Sequence, residues 1–168
     1  MHMAIILLIL ATIVISCSVE PKEEPEIVSH MSFEGWEKLP KLNIERMRSE
    51  GHLAYIDLHA NKLGKEAYEQ RVKEFPVGSK IFKPIYTDQK QSECDRLTVM
   101  IKMSPGYDSE NGDWWYGVYD KSGKEAWHQG KIQSCIDCHK LAKDMDYLFT
   151  ESVMDEIEIQ KAFGSMAE

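Results

Sequence analysis

Cys135, Cys138 and His139 stand in the stretch Ser134-Cys135-Ile136-Asp137-Cys138-His139-Lys140, a C-x-x-C-H. Two thiols at that spacing reach the vinyl groups on adjacent pyrroles of haem b and form thioethers. The histidine that follows then lies under the iron and ligates it on one face. This reading gives one covalently attached haem c, with Cys135 and Cys138 as anchors and His139 as the proximal ligand. Two other chemistries use the same residue types. A thioredoxin-like C-x-x-C follows a strand and opens a helix near the start of a βαβ unit, and nothing in the chain has that pattern. Zinc needs four ligands. His128 or His59 would have to complete the set, and the adjacency of Cys138 and His139 is awkward for a tetrahedron.

The sixth iron position decides what such a haem does. A methionine or a second histidine gives an electron carrier, whereas an open face binds small molecules. Met100, Met103, Met145 and Met154 all lie near expected elements. Methionine is a common core filler, and spacing does not choose among them.

The elements that position the motif are β-rich. Residues 33–50 contain a Pro-interrupted segment and then a short helical pattern, and Ala54 to Leu58 is a strand or an extended lead-in. A helix is expected from Lys62 to Phe75, ended by Pro76. Residues 77–86 form a strand opened by Gly78, with Pro84 making it an edge or a bent strand. Residues 95–103 alternate Leu97, Val99, Ile101 and Met103 against Thr98, Met100 and Lys102, the pattern of a two-faced strand. Aromatic residues 114–120 follow, then a turn at Lys121-Ser122-Gly123 and a hairpin partner in residues 124–128. Trp114, Trp115, Tyr116 and Tyr119 are expected to pack the sheet. Residues 141–149 and 151–163 read as helices, the second with Val153, Ile157 and Phe163 on its apolar side. The fold class is therefore α+β: an antiparallel sheet with flanking helices and the haem motif near the C-terminal end. Small all-helical electron carriers place the motif near the N-terminus.

The first residues set the compartment. Ala4 to Ile15 is an apolar run broken only by Thr12. It is shorter than the roughly 20 residues of a membrane span and fits the apolar region of a secretory signal, although no Lys or Arg precedes it. Val14-Ile15-Ser16-Cys17 resembles a bacterial lipobox, with Cys17 as the lipidated residue. Residues 18–30, charged and carrying Pro21 and Pro25, suit an extended acidic tether. The organisation read from these features is a signal peptide at 1–16, a lipidated Cys17 and tether at 17–30, and a haem domain at 31–168. It puts the protein in the bacterial cell envelope, periplasmic and lipid-anchored to the membrane. Haem attachment of this type also takes place outside the cytoplasm. The net charge of −8 over 168 residues argues against nonspecific nucleic-acid binding, which needs a basic footprint. Cys94 stands alone, and no disulfide framework is visible.

Four stretches occur in a telling order: EFPVGSKIFKPIY at 74–86, LTVMIKMSPGYDSENGDWWYGVYDKSG at 97–123, CIDCH at 135–139 and DMDYLF at 144–149. Together they resemble the cytochrome P-460 family, which includes cytochrome P-460 itself and cytochrome c′-beta, over roughly residues 50–150. The resemblance implies a β-rich fold with flanking helices, a haem at the C-terminal C-x-x-C-H, commonly a homodimer, and a five-coordinate iron with an open distal side. In cytochrome P-460 a lysine is also bonded to the porphyrin, and an acidic distal residue assists hydroxylamine oxidation. In cytochrome c′-beta aromatic rings cap the distal side and nitric oxide binds there. Carried onto this chain, Lys83 is the first candidate for the cross-link and Lys80 the second. Phe82 and Phe75 are candidates for the distal cap. Alternation along a strand puts Lys83 and Phe82 on opposite faces, so at most one of them points at the iron. The acidic distal residue has no clear match; Glu93 and Asp95 lie just before the strand at 95–103. Two activities follow. One is a haem-dependent hydroxylamine oxidoreductase, or a binder of small nitrogen species, that passes electrons to a redox-partner cytochrome. The other is a non-catalytic electron-transfer or nitric-oxide-binding cytochrome.

Overall fold

The computed structural model describes residues 31–149 and 151–164. The expected signal peptide, Cys17 and the tether lie outside the described residues. The architecture is α+β: a seven-stranded sheet, antiparallel at every pairing, with helices on one face. The strands are β1 (Met47–Ser49), β2 (Ala54–Ile56), β3 (His59–Ala60), β4 (Lys80–Tyr86), β5 (Arg96–Lys102), β6 (Trp114–Tyr119) and β7 (Ala126–Gly130). Their order is β1-β2-β4-β5-β6-β7, with β3 also paired to β4.

Alternation sorts the side chains as the pattern at 95–103 predicts. Leu97, Val99 and Ile101 join Phe33, Trp36, Phe82, Trp115 and Tyr119 in one cluster. Met100 joins Ile81, Trp114 and Tyr116 in a second cluster on the opposite face. The first face is closed by the N-terminal segment: the Phe33 ring meets Phe82 at 5.5 Å and Tyr119 at 5.1 Å, both edge-on. The second face is closed by α1 (Lys62–Glu69), α2 (Gln133–His139) and α3 (Glu151–Gly164). Ala67 and Tyr68 of α1, Ile136 of α2, and Val153, Met154 and Ile157 of α3 are buried there. Apolar residues at 153, 154 and 157 fall on one side of a helix, as a period of 3.6 requires.

Three local expectations are corrected. The helical pattern near residue 45 is instead the edge strand β1, which pairs with β2 from Met47↔Ile56 to Ser49↔Ala54. The α1 helix ends at Glu69, well short of Pro76. Arg71 turns into the left-handed region, φ 51°, and the chain leaves the helix axis to sink Phe75 between Tyr68 and Trp114, at 5.0 and 6.1 Å. After α2 the chain forms a 3-10 helix over Lys140–Met145 and then breaks at Asp146 and Tyr147, both left-handed. Burial of Tyr147 and Leu148 in the core wins over helix continuation. Among the described residues, no helix is long and apolar enough to cross a membrane.

Candidate haem site

The C-x-x-C-H lies on α2, whose buried Ile136 anchors it to the core. Residues three and four apart on a helix share a face, so Cys135 carries Cys138 and His139 on the same side. Two cavities meet at this face. The larger, about 550 Å³, is lined by Cys138, His139, Lys83 and His52 together with apolar Met47, Ile56, Leu58, Phe149 and Val153. The smaller, about 30 Å³, is lined by Cys135, His139, Lys83, His52, Met100 and Tyr116. One thiol therefore opens on each cavity, while His139, Lys83 and His52 border both.

His139 has the hydrogen bonding and burial that a metal ligand needs. Its Nδ1 lies 2.6 Å from the carbonyl oxygen of Tyr147. A carbonyl only accepts, so the proton sits on Nδ1 and Nε2 keeps its lone pair. The ring packs between Tyr116 at 5.4 Å and Phe149 at 5.6 Å. Burial, followed by the positive charge of Lys83, pushes its pKa down to about 3, against the opposing pull of the Tyr147 carbonyl. A neutral imidazole is the metal-binding form.

Lys83 and His52 complete the constellation. Burial lowers the Lys83 pKa to about 8, with Cys138 and Cys135 pulling the other way. Burial, then Lys83 and Arg96, pushes His52 down to about 4. His52 carries no local sequence signal. It sits in the turn between β1 and β2, and only the pairing of that hairpin brings it beside residues more than eighty positions away. Gly51, its neighbour, lets the backbone approach the thiol: a Cβ there would stand 3.3 Å from the sulfur of Cys138.

The remaining sequence candidates fall elsewhere. Phe82 is on the far face of the sheet against Phe33, and Lys80 is near that ring too, 6.0 Å from its centre. Phe75 is in the core between Tyr68 and Trp114. Neither phenylalanine borders the cavities at His139. Lys83 and Phe82 do point to opposite faces, as alternation requires. Glu93 pairs with Lys121 on the surface, and Asp95 is held by Thr87 and Gln91. The carboxylates that reach the large cavity are instead Glu50 and Glu156, the latter accepting from the Ile44 backbone at 2.8 Å. His59 is held by the Leu39 carbonyl at 2.9 Å, and His128 lies on β7. Neither histidine borders the cavities at Cys138 and His139, and among the described residues no three His, Cys, Asp or Glu side chains converge as a metal-ion site.

Comparison with known families decides the class. The Cytochrome P460 family model matches residues 32–150, more than half of the chain. The chain belongs to the cytochrome P-460 family. No curated protein matches it. Membership of the cytochrome P-460 family implies a haem cofactor, and the residues present fit one. An imidazole with a free Nε2 and two half-buried free thiols share one helix face. The cavity volume is within the ~300–1,000 Å³ of small-molecule sites. The Tyr116 hydroxyl, beside the smaller cavity, is buried with no hydrogen-bond partner among the described residues, an orphan that a bound group would relieve.

Proposed function

We propose that the chain is a c-type haem protein that binds or oxidises small nitrogen species, nitric oxide or hydroxylamine, and passes electrons to a redox-partner cytochrome. His139 is the proximal ligand through Nε2, and Cys135 and Cys138 hold the porphyrin by thioethers. The observation that carries this reading is the His139–Tyr147 hydrogen bond, which commits Nδ1 and leaves Nε2 to the cavity lined by Cys138, Lys83 and His52. When bound, the haem supplies a redox-active iron with one face free for a ligand.

The chain's own residues supply polar groups beside the haem site. With its depressed pKa, His52 is a neutral imidazole at neutral pH, a hydrogen-bonding group beside the cavities rather than a strong base. Lys83, its pKa lowered to about 8 by burial, borders both cavities beside His139 and would be the residue to tether the porphyrin edge. Arg48 at the rim of the larger cavity suits the carboxylates of a porphyrin. In the second reading the protein captures nitric oxide or transfers electrons without catalysis; its electron-transfer form is favoured by Met100 at the smaller cavity, a side chain able to close the sixth position. The proposed assembly is completed by a lipid anchor at Cys17, periplasmic location and homodimer formation.

The deciding measurement is the absorption spectrum of the ferric and ferrous protein with and without nitric oxide, preceded by a pyridine haemochrome. A c-type haemochrome and a spectrum that changes on adding nitric oxide are expected. A missing c-type band sinks the covalent haem. A far-red methionine–iron charge-transfer band in the ferric protein excludes the open face.

A further inference from the structure

We propose that the buried Lys102–Asp146 ion pair is the positioning element for His139, acting through the carbonyl of Tyr147 and so setting how strongly the imidazole donates to iron. The inference rests on His139 being the iron ligand. Its starting point is an oddity of the backbone. Asp146 and Tyr147 are consecutive left-handed residues, φ 51° and 61°, and neither is glycine. Aspartate tolerates that region better than most residues, but a tyrosine there is strained. Such a turn persists only when its surroundings over-determine it, and here they do.

Asp146 is gripped from three directions. Its Oδ1 lies 2.6 Å from Lys102 Nζ, its Oδ2 accepts from the Phe75 backbone at 2.8 Å, and its carbonyl accepts from Trp114 Nε1 at 2.8 Å. Tyr147 is held at both ends: its N–H donates to Ala142 at 2.9 Å and its hydroxyl to the Glu110 carbonyl at 3.0 Å. The product of this clamp is the direction of one group, the Tyr147 carbonyl that meets His139 Nδ1 at 2.6 Å. The partner of a ligand's second nitrogen fixes ring orientation and raises ligand basicity.

The choice of an ion pair also points to position rather than stability. Lys102 and Asp146 are 6 % and 7 % exposed at the side chain. A buried pair is often no better than well-packed apolar residues of the same volume, and Lys102 sits on the core face of β5 where its neighbour Met100 is apolar. A methionine at 102 would fill the space. It would not aim a carboxylate at the Phe75 N–H and hold the turn before Tyr147.

The test uses the double variant Lys102→Met/Asp146→Asn. It leaves no unpaired buried charge, and asparagine retains an acceptor and tolerance of the left-handed region. Two controls accompany it: Lys121→Met/Glu93→Gln, which removes an exposed pair, and Leu97→Ala, which weakens the core on the opposite face. Three quantities are read: the reduction potential, the iron–histidine stretch of the ferrous protein, and proton exchange at His139 Nδ1. The exchange is followed by nitrogen-15 NMR on the protein as isolated, reduced under carbon monoxide so that bound iron is diamagnetic. In the double variant the potential should rise, the stretch should fall in frequency, and the exchange should quicken roughly tenfold, as befits loss of one net hydrogen bond from the clamp. Both controls should leave potential and stretch unchanged. Wild-type potential, stretch and exchange in a folded double variant would overturn the positioning role, and so would an equal shift of all three in Leu97→Ala. A wild-type protein without haem absorption would overturn the haem reading instead, while the exchange measurement would still decide this one.

Discussion

Gly112 and Tyr147 are packed so closely that a Cβ on the glycine would stand 2.4 Å from two carbons of the tyrosine ring. Gly112 is also left-handed, φ 72°. Gly112→Ala therefore meets a backbone penalty and a steric one together. Gly106 is left-handed too, φ 97°, but a Cβ there would meet nothing within 4 Å. Gly106→Ala should cost only the backbone penalty, about 1 kcal/mol. Gly112→Ala should cost about 2–3 kcal/mol, because the Tyr147 ring must move from its place in the core. Urea unfolding midpoints of the two variants compare them directly. Equal losses would show that the Tyr147 ring yields without penalty.

What the sequence revealed, and what it hid, follows from how local each cause is. Leu97, Val99 and Ile101 declare their face by alternation alone, and the separation of Lys83 from Phe82 follows from the same period. The C-x-x-C-H is legible because its three residues lie within five positions of one another. Residues Met47–Ser49 read as helical because a three-residue edge strand is decided by its pairing with β2, not by its own pattern. His52 was invisible for the same reason. Lys102 is a strand-face lysine whose partner lies 44 residues further along. Nothing near Lys102 in the chain foretells that its ammonium group is buried. Phe75, placed by resemblance near the haem, is drawn into the core because its N–H satisfies Asp146 and its ring fills the space beside Trp114.

His52 should make the protein acid-sensitive. Its folded pKa is depressed to about 4 from an ordinary value of 6.5. Between those values the unfolded chain binds a proton that the folded chain refuses, so stability rises with pH across that window and is lost as pH falls through it. His52→Gln should remove this part of the slope and leave stability above pH 7 nearly unchanged. Urea midpoints at several pH values from about 4 to 7 measure it. A variant with the wild-type slope would remove His52 from the account.

The two thiols should carry the covalent attachment and little of the fold. Cys135 and Cys138 are half-buried, and α2 is anchored by Ile136 instead. Cys135→Ser/Cys138→Ser should therefore stay folded and hold haem only through His139. Acid–acetone extraction should then release porphyrin from the variant and none from the wild type. Retention in the variant would show that another bond, such as one from Lys83, is enough.

Lys83 and Lys80 give opposite outcomes if the porphyrin is bonded to a lysine. Lys83 borders both cavities beside His139, whereas Lys80 faces the Phe33 side of the sheet. Burial lowers the Lys83 pKa to about 8. Attachment at the cysteines should come first and promote the lysine bond, because it holds the porphyrin edge beside Lys83; replacing a porphyrin C–H by C–N then releases two electrons and two protons, which an oxidant of the peroxide class must take up. Tryptic mass spectrometry should find the Lys83 peptide joined to the haem peptide in the wild type and in Lys80→Met, and not in Lys83→Met. It should be lost in Cys135→Ser/Cys138→Ser, where no thioether joins the porphyrin to that peptide. A free Lys83 peptide in the mature wild-type protein would exclude the bond at this position and leave Lys83 as a charge near the iron.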